Sequence, residues 1–409
     1  MRLLHTSDWH LGRSFHGHSL LEAQAEAMER LVELSRDAEA DLVVIAGDLY
    51  DRAIPPAEAV RLFTDTIARL RQSGTAVVAI AGNHDSHVRV SVYDELLSAL
   101  EVTIRGSWRR SAEPVLVAPR RGGSPVAVYP LPYLEPLLDG PGLQQATGAE
   151  PLGRWRHQEV TSLALERIRA DLQQRGGGRS VLVAHAFVAG GSSSDSEREL
   201  SVGSVDAVPV EAFRGFDYVA LGHLHGSQQL DGPRLAYSGT PLAYSFSEER
   251  HVKSVRLVEL AEDGGLRVEV VPLGVGRPLR SLSGRFEALL ADPELETARQ
   301  AWVRVELTDE LLPLQAMARL RVRFPHIVEL RHRRPEGTPA SASGRTLSIR
   351  SARGPLERSL AFYADQQGRP PLPAEAELLR QALAAAGRRD GGEAPGDRQH
   401  PTGQEATER

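Results

Sequence analysis

Five nearly continuous apolar runs each stop at a short polar motif, and this repeated pattern constrains the fold more than any other feature of the chain. The runs are residues 2–7 (RLLHTS), 41–46 (DLVVIA), 75–81 (TAVVAIA), 180–184 (SVLVA) and 216–221 (FDYVAL). They lack the polar alternation of a half-exposed strand, so they predict strands buried on both faces. Between them, residues 20–36, 56–72 and 154–175 have helical apolar spacing, as at Leu21, Met28, Leu31 and Leu34. Strands alternating with helices predict an α/β fold.

The polar motifs carry the chemistry. They are Asp8-Trp9-His10, Gly47-Asp48 running on to Asp51-Arg52, Gly82-Asn83-His84-Asp85, Ala184-His185 and Gly222-His223-Leu224-His225. Asp8 and His10 are two apart on extended chain, so both side chains can face one site. A mixed carboxylate and imidazole set suits manganese, iron or zinc rather than magnesium or calcium. Gly47 lets the backbone turn at a strand end, and the two oxygens of Asp48 can bridge two metals roughly 3.5–4 Å apart. Asn83 offers a neutral amide oxygen. His84, its neighbour, diverges from it and is free to face a substrate, protonating a leaving oxygen or stabilising charge there. Asp51 is placed to orient that imidazole. Taken singly, most of these motifs are common strand-end turns. Five together, in this order, predict a metal pocket that hydrolyses phosphate esters.

Later segments read as follows. Residues 234–238, 253–260 and 265–272 are further strands, the last two joined by a turn at 262–265. This completes a domain over 1–274. Residues 301–307, 309–323 and 326–333 read as strand, helix and strand, a small capping domain over 275–335. A Pro, Gly and Ser-rich linker is expected at 336–354. Two short amphipathic helices at 355–364 and 374–386 form a partner-docking element over 355–386. Residues 387–409 contain no Val, Ile, Leu, Met, Phe, Tyr or Trp and read as a disordered tail.

Composition narrows the function. The 409 residues include no cysteine, which excludes disulfides, thiolate metal sites and a cysteine nucleophile. The net charge of −6 argues against indiscriminate nucleic-acid binding but allows a local basic surface. Between 275 and 350 there are 13 arginines and nine acidic residues, a local excess that would suit contact with DNA phosphates or a solvated surface. No run approaches the roughly 18 apolar residues of a membrane span, and no leader is expected ahead of Asp8, so the expected location is cytoplasmic. His5 reads as structural. His16, His18, His87 and Arg52 lie near the motifs and are open as substrate contacts. Lysine is almost absent, with Lys253 alone, while arginine is abundant, which reads with the many Ala, Gly and Pro residues as a coding bias.

The motif order D-x-H, G-D-x-x-D-R, G-N-H-D, H and G-H-x-H resembles the calcineurin-like metallophosphoesterases. The segments MRLLHTSDWHLGRSF, GDLYDRAIPP, HAFVAGGSSSDSERELSVG and YSGTPLAYSFSE resemble, more narrowly, the SbcD family of nuclease subunits. The resemblance implies a metallophosphoesterase β-sandwich flanked by helices, with a small α/β capping domain and C-terminal helices. It implies seven ligands for two divalent ions, manganese by expectation: Asp8, His10, Asp48, Asn83, His185, His223 and His225, with Asp48 bridging. It implies His84 as the catalytic histidine. The implied activity is 3′–5′ exonuclease action on double-stranded DNA ends and endonucleolytic opening of hairpins, in DNA repair, replication and recombination. The implied partner is an SbcC-type coiled-coil ATPase, two copies of each subunit forming a heterotetramer around a homodimer. A small-molecule metallophosphodiesterase and a catalytically silent scaffold subunit are the alternatives.

Overall fold

The computed structural model describes residues 1–92, 94–150, 154–197, 207–333, 354–367 and 369–389. The expected linker and tail lie almost wholly outside these residues, as do residues 198–206, which include all of the ERELSVG segment after Glu197.

Two six-stranded sheets organise the larger part of the chain. The strands of the first are β1 (Arg2–Thr6), β4 (Leu42–Ile45), β5 (Ala76–Ile80), β6 (Val102–Arg105), β13 (Ser254–Leu260) and β14 (Leu266–Pro272). They lie in the order β14-β13-β1-β4-β5-β6. The strands of the second are β7 (Val115–Val117), β8 (Val126–Leu131), β9 (Ser180–His185), β10 (Tyr218–Gly222), β11 (Gln228–Asp231) and β12 (Leu235–Tyr237). Their order is β11-β12-β10-β9-β8-β7. Within each sheet four neighbouring strands run parallel: β1, β4, β5 and β6 in one, β8, β9, β10 and β12 in the other. Antiparallel strands close the remaining edges.

The unbroken apolar runs have a direct explanation. Successive side chains on a strand point to opposite faces. Leu42, Val44, Val78 and Ile80 face the second sheet, meeting Val126, Val128, Val181, Val183 and Tyr218 in the core between the sheets. Val43, Ile45, Val77 and Ala79 face the other way, against the helices Leu21–Asp37 and Ala57–Gln72. On the second sheet, Leu182 and Ala184 likewise turn outward towards the helix His157–Gln174. Apolar side chains are therefore needed at every position of these strands. All parallel strands in a sheet present their C-terminal ends at one edge, and the polar motifs follow those ends.

Three further strands, β15 (Leu279–Gly284), β16 (Trp302–Leu307) and β17 (Ile327–His332), form a third sheet in the order β15-β16-β17. β2 (Ser14–Phe15) and β3 (His18–Ser19) make a small hairpin. The chain divides into two compact units. The larger comprises Met1–Ser283, Leu289–Val305 and Met317–Arg331, and holds both six-stranded sheets. The smaller comprises Gly284–Ala288, Glu306–Ala316 and the described residues from His332 onward, with helices Pro355–Gln367 and Pro373–Arg389.

Three expectations need correction. The helix read at 309–323 spans only Ala316–Arg323, because Pro313 disfavours helical conformation just before it. The expected tail begins too early, since the last helix continues to Arg389. β6, β7, β8 and β15 have no counterpart in the sequence reading; β8 even carries Pro130, which supplies no N–H to the ladder. Its pairing with β9 prevails over that local penalty.

Ile80 is fully buried between the sheets. We expect Ile80→Ala to lower the urea-unfolding free energy by about 2–5 kcal/mol, the range for truncating a buried aliphatic side chain that leaves a cavity. A loss well below that range would show that this layer is loosely packed.

Candidate metal centre

Each sheet contributes half of the site. Asp8 and His10 follow β1, Asp48 follows β4, and Asn83 and His84 follow β5, all from the first sheet. His185 ends β9, and His223 and His225 follow β10, from the second. The halves meet where the His185 Nδ1–H donates to the Ala46 carbonyl at 2.8 Å.

Close approach there demands glycine. A Cβ on Gly222 would lie 1.7 Å from the Ala46 oxygen, and one on Gly47 would lie 2.2 Å from His185 Nδ1. Four non-glycine site residues have left-handed backbone: Asp8 (φ 52°), His10 (φ 44°), Asp48 (φ 49°) and His223 (φ 111°). Such conformations cost on the order of 1–3 kcal/mol each and persist only where surroundings hold them. Here main-chain bonds do so: Asp8 N–H donates to Gly47 O at 3.0 Å and His10 N–H to Asp48 O at 2.9 Å. The Gln24 amide donates to the His10 carbonyl, and the Tyr244 hydroxyl to the Trp9 carbonyl.

The donor atoms converge. His10 Nε2 lies 3.2 Å from His225 Nε2 and 3.6 Å from Asp48 Oδ2. His185 Nε2 lies 3.6 Å from the same Asp48 oxygen and 2.9 Å from Asn83 Oδ1. His223 Nδ1 is 3.2 Å from Asn83 Oδ1. The Asp8 carboxylate accepts the His223 N–H and sits 3.9 Å from His185 Nδ1. Three overlapping groups have metal-ligand spacing: Asp8, His10 and His225; His10, Asp48 and His84; Asp8, Asp48 and His185. All seven residues expected as ligands are thus brought together, and His84 stands beside them.

The electrostatics favour a cation. Burial, and then the neighbouring Asp48 carboxylate, push Asp8 well above the usual carboxylate range. Burial holds His10 and His223 well below the usual histidine range, with neighbouring imidazoles adding to it, and lowers His185 too. Neutral imidazole is the ligating form. Two carboxylates confined in a dry pocket repel each other until positive charge lies between them. Paired imidazole nitrogens facing each other are what a site built for divalent ions would present. The residues fit that role.

His84 is set differently from the expectation. Its Nδ1–H donates to the main-chain carbonyl of Asp51 at 2.8 Å, and its own N–H donates to Asp48 Oδ1 at 2.9 Å. The Asp51 carboxylate, expected to orient His84, lies instead 3.4 Å from the Arg13 guanidinium and 3.7 Å from His10 Nδ1. The cationic Arg13 draws the carboxylate towards itself, which leaves the carbonyl for the imidazole. Arg52 is exposed. His16 packs on Phe15 and Phe246, His18 stacks on Trp302 with ring centroids 4.9 Å apart, and His87 opens a short helix.

Sequence reasoning missed the supports. Asp85 accepts N–H bonds from Leu49, Tyr50 and Gly82, at 2.9–3.0 Å, tying the Asp48 loop to the Asn83 loop. Burial and the Asp48 charge push its carboxyl up to about 7, although those three bonds oppose the shift. Its place in Gly-Asn-His-Asp was the only signal. Glu248, Ser196, Glu197 and Lys253 surround His225 from segments with no local pattern that would reveal it. Burial raises the Glu248 carboxyl, but the nearby His225 imidazole and the Lys253 ammonium outweigh it and hold Glu248 well below its ordinary value.

With this geometry in view, comparison with known proteins defines the class. Residues 1–227 match the calcineurin-like phosphoesterase family, so the chain belongs to that family. It is a phosphoesterase-type hydrolase with a divalent-metal site. Residues 275–364 match a domain described as the type 5 capsule protein repressor C-terminal domain. The chain is 29% identical over 337 residues to the D subunit of the SbcCD nuclease from Staphylococcus epidermidis, an alignment covering 81% of this chain and 85% of that protein. Among solved structures it is similar to a Thermus thermophilus protein, at 15% identity and TM-score 0.38, covering 66% of this chain and 98% of that one. It is also similar to a dimetal phosphatase from Danio rerio, at 14% identity and TM-score 0.39, covering 67% and 96%. Likenesses that loose say nothing about chemistry. Among the described residues, no helix is long and apolar enough to cross a membrane.

Asp85→Asn would replace one of the two accepting oxygens with an NH2 group, which would face at least one of the three backbone donors. We expect a stability loss of about 1–3 kcal/mol, the usual cost of leaving a buried donor unsatisfied, with weakened Mn2+ binding by titration calorimetry. Unchanged binding would show that the two loops hold their positions without this carboxylate.

Proposed function

We propose that this chain is a metal-dependent DNA nuclease that works with an SbcC-type ATPase. The observation that carries the reading is its similarity to an SbcCD nuclease subunit over four-fifths of its length, well beyond the phosphoesterase segment. The proposed substrates are double-stranded DNA ends and hairpins, cut from the 3′ side or opened internally.

In this reading Asp8, His10, Asp48, Asn83, His185, His223 and His225 hold two divalent ions, manganese by expectation, with Asp48 shared. Bound there, such ions supply Lewis acidity and an activated water for in-line attack on phosphorus. The protein's own part is orientation and proton handling. His84 has Nδ1 tied to the Asp51 carbonyl. Any second proton on the ring is therefore carried at Nε2, the nitrogen left for the leaving 3′ oxygen. Asp51 acts through its main chain on His84 and through its charge on Arg13 and His10.

The arginines beyond residue 275 are proposed to meet DNA phosphates. Several already have local tasks. Arg277 lies over Trp302, Arg304 over Phe246, and Arg323 donates to the Leu290 and Asp292 carbonyls. Arg280, Arg285 and Arg321 are exposed and are the better candidates. In the helices Pro355–Gln367 and Pro373–Arg389, the exposed Phe362 and Leu378 suit burial against the ATPase.

The test is cleavage of end-labelled hairpin DNA with Mn2+, with and without an SbcC-type ATPase. Hydrolysis of small phosphodiesters with no DNA cleavage in either case would overturn the nuclease reading. His84→Ala should keep the Mn2+ stoichiometry and lose about 10²–10⁴-fold in turnover, the usual worth of a general acid. Loss of metal in that variant would make His84 a ligand, which its spacing to His10 and Asp48 also permits. Asp48→Ala should lose the paired ions, and retained two-ion occupancy would refute a shared carboxylate.

A further inference from the structure

The surroundings of His225 form a directed chain of hydrogen bonds. Its Nδ1 lies 2.5 Å from Ser196 Oγ, and the Ser196 hydroxyl bonds in turn to Glu248 Oε1. A carboxylate only accepts, so the hydroxyl must donate to Glu248. Its oxygen is then left to accept, and the proton between serine and histidine belongs to His225 Nδ1. That places the lone pair of His225 on Nε2, which faces His10 Nε2 inside the pocket.

Glu248 is held for this task. It is almost fully buried, and its second oxygen accepts from Lys253 Nζ at 2.5 Å. Lys253 uses its other donors on the Thr240 hydroxyl, at 2.7 Å, and on the His225 carbonyl, at 3.0 Å. All three of its N–H groups are therefore engaged. The His225 N–H donates to Glu197 Oε1 at 2.7 Å. Main chain and ring of this histidine are fixed together, by residues from three separate parts of the sequence. The single lysine of the chain is thus a buried structural cation.

We propose that Glu248, anchored by Lys253 and acting through Ser196, is the positioning residue that sets the tautomer and direction of His225 for metal binding. The inference rests on His225 being a metal ligand, as proposed above. Without the carboxylate, the serine hydroxyl is free to donate to Nδ1 instead, which would move the ring proton to Nε2 and block the ligating nitrogen. Outer partners of this kind are typically worth about 10–100-fold in metal affinity.

The test uses the full chain, histidine-labelled with 15N, with the His225 signals assigned by their loss in His225→Ala. In the metal-free wild type, His225 should be the Nδ1–H tautomer. Glu248→Gln should shift it towards Nε2–H and weaken Mn2+ binding by about 10–100-fold. Ser196→Ala should lose affinity in the same direction, and Ser196→Thr should restore it. If Glu248→Gln fails to fold, the serine pair decides alone. Wild-type tautomer and affinity in folded Glu248→Gln and Ser196→Ala would overturn the proposal. Wild-type affinity and stoichiometry in His225→Ala would strike instead at the metal-ligand reading on which it rests.

Discussion

The bond between the Ala46 carbonyl and the His185 imidazole is the junction on which the site depends. It joins the end of β4 in one sheet to the end of β9 in the other. Around it, Gly47 and Gly222 leave no room for a side chain. The sheets can therefore close until donors from both reach one pocket. Strained backbone at Asp8, His10, Asp48 and His223 follows from the same closure. Packing on both faces of the parallel strands offsets that strain, because each buried aliphatic side chain contributes about 1.5–3 kcal/mol.

Burial then dictates the chemistry. A water-poor pocket penalises any lone charge, so His10, His185 and His223 are held towards their neutral forms and Asp8 is pushed towards its protonated form. Such a set is poorly satisfied by itself: two imidazole nitrogens face each other, and His10 Nδ1 has no partner. Divalent ions would relieve the facing nitrogens, while Nδ1, on the far side of the His10 ring, lies beside the Asp51 carboxylate. The pocket is thus shaped less by attraction among its residues than by what they leave unsatisfied.

The supports around the pocket are as specific as the donors. Asp85 ties together the loops that carry Asp48 and Asn83. Gln24 and Tyr244 grip the backbone of the first motif, and Arg13 lies over the Tyr244 ring at 4.9 Å while approaching Asp51. Glu248 and Lys253 do the same for His225 from the far end of the domain. None of these contacts supplies a donor to the pocket, yet each limits where a donor can point.

By itself the sequence determined the strands that lead into the pocket, their burial on both faces and which residues converge there, because strand period and motif position are local properties that a chain displays directly. Residues 42–45, 76–80 and 180–185 were legible as buried strands for that reason. Edge and short strands such as β7, and the Pro130-bearing β8, were not, since their pairing partners rather than their own residues stabilise them. Only the tertiary structure decided that Asp51 reaches His84 through its carbonyl, that Asp85 clamps two loops, and that Glu248 and Lys253 stand behind His225. Those relations join residues from distant parts of the chain, and hydrogen-bond direction depends on angles and competing partners that exist only once the two sheets have closed.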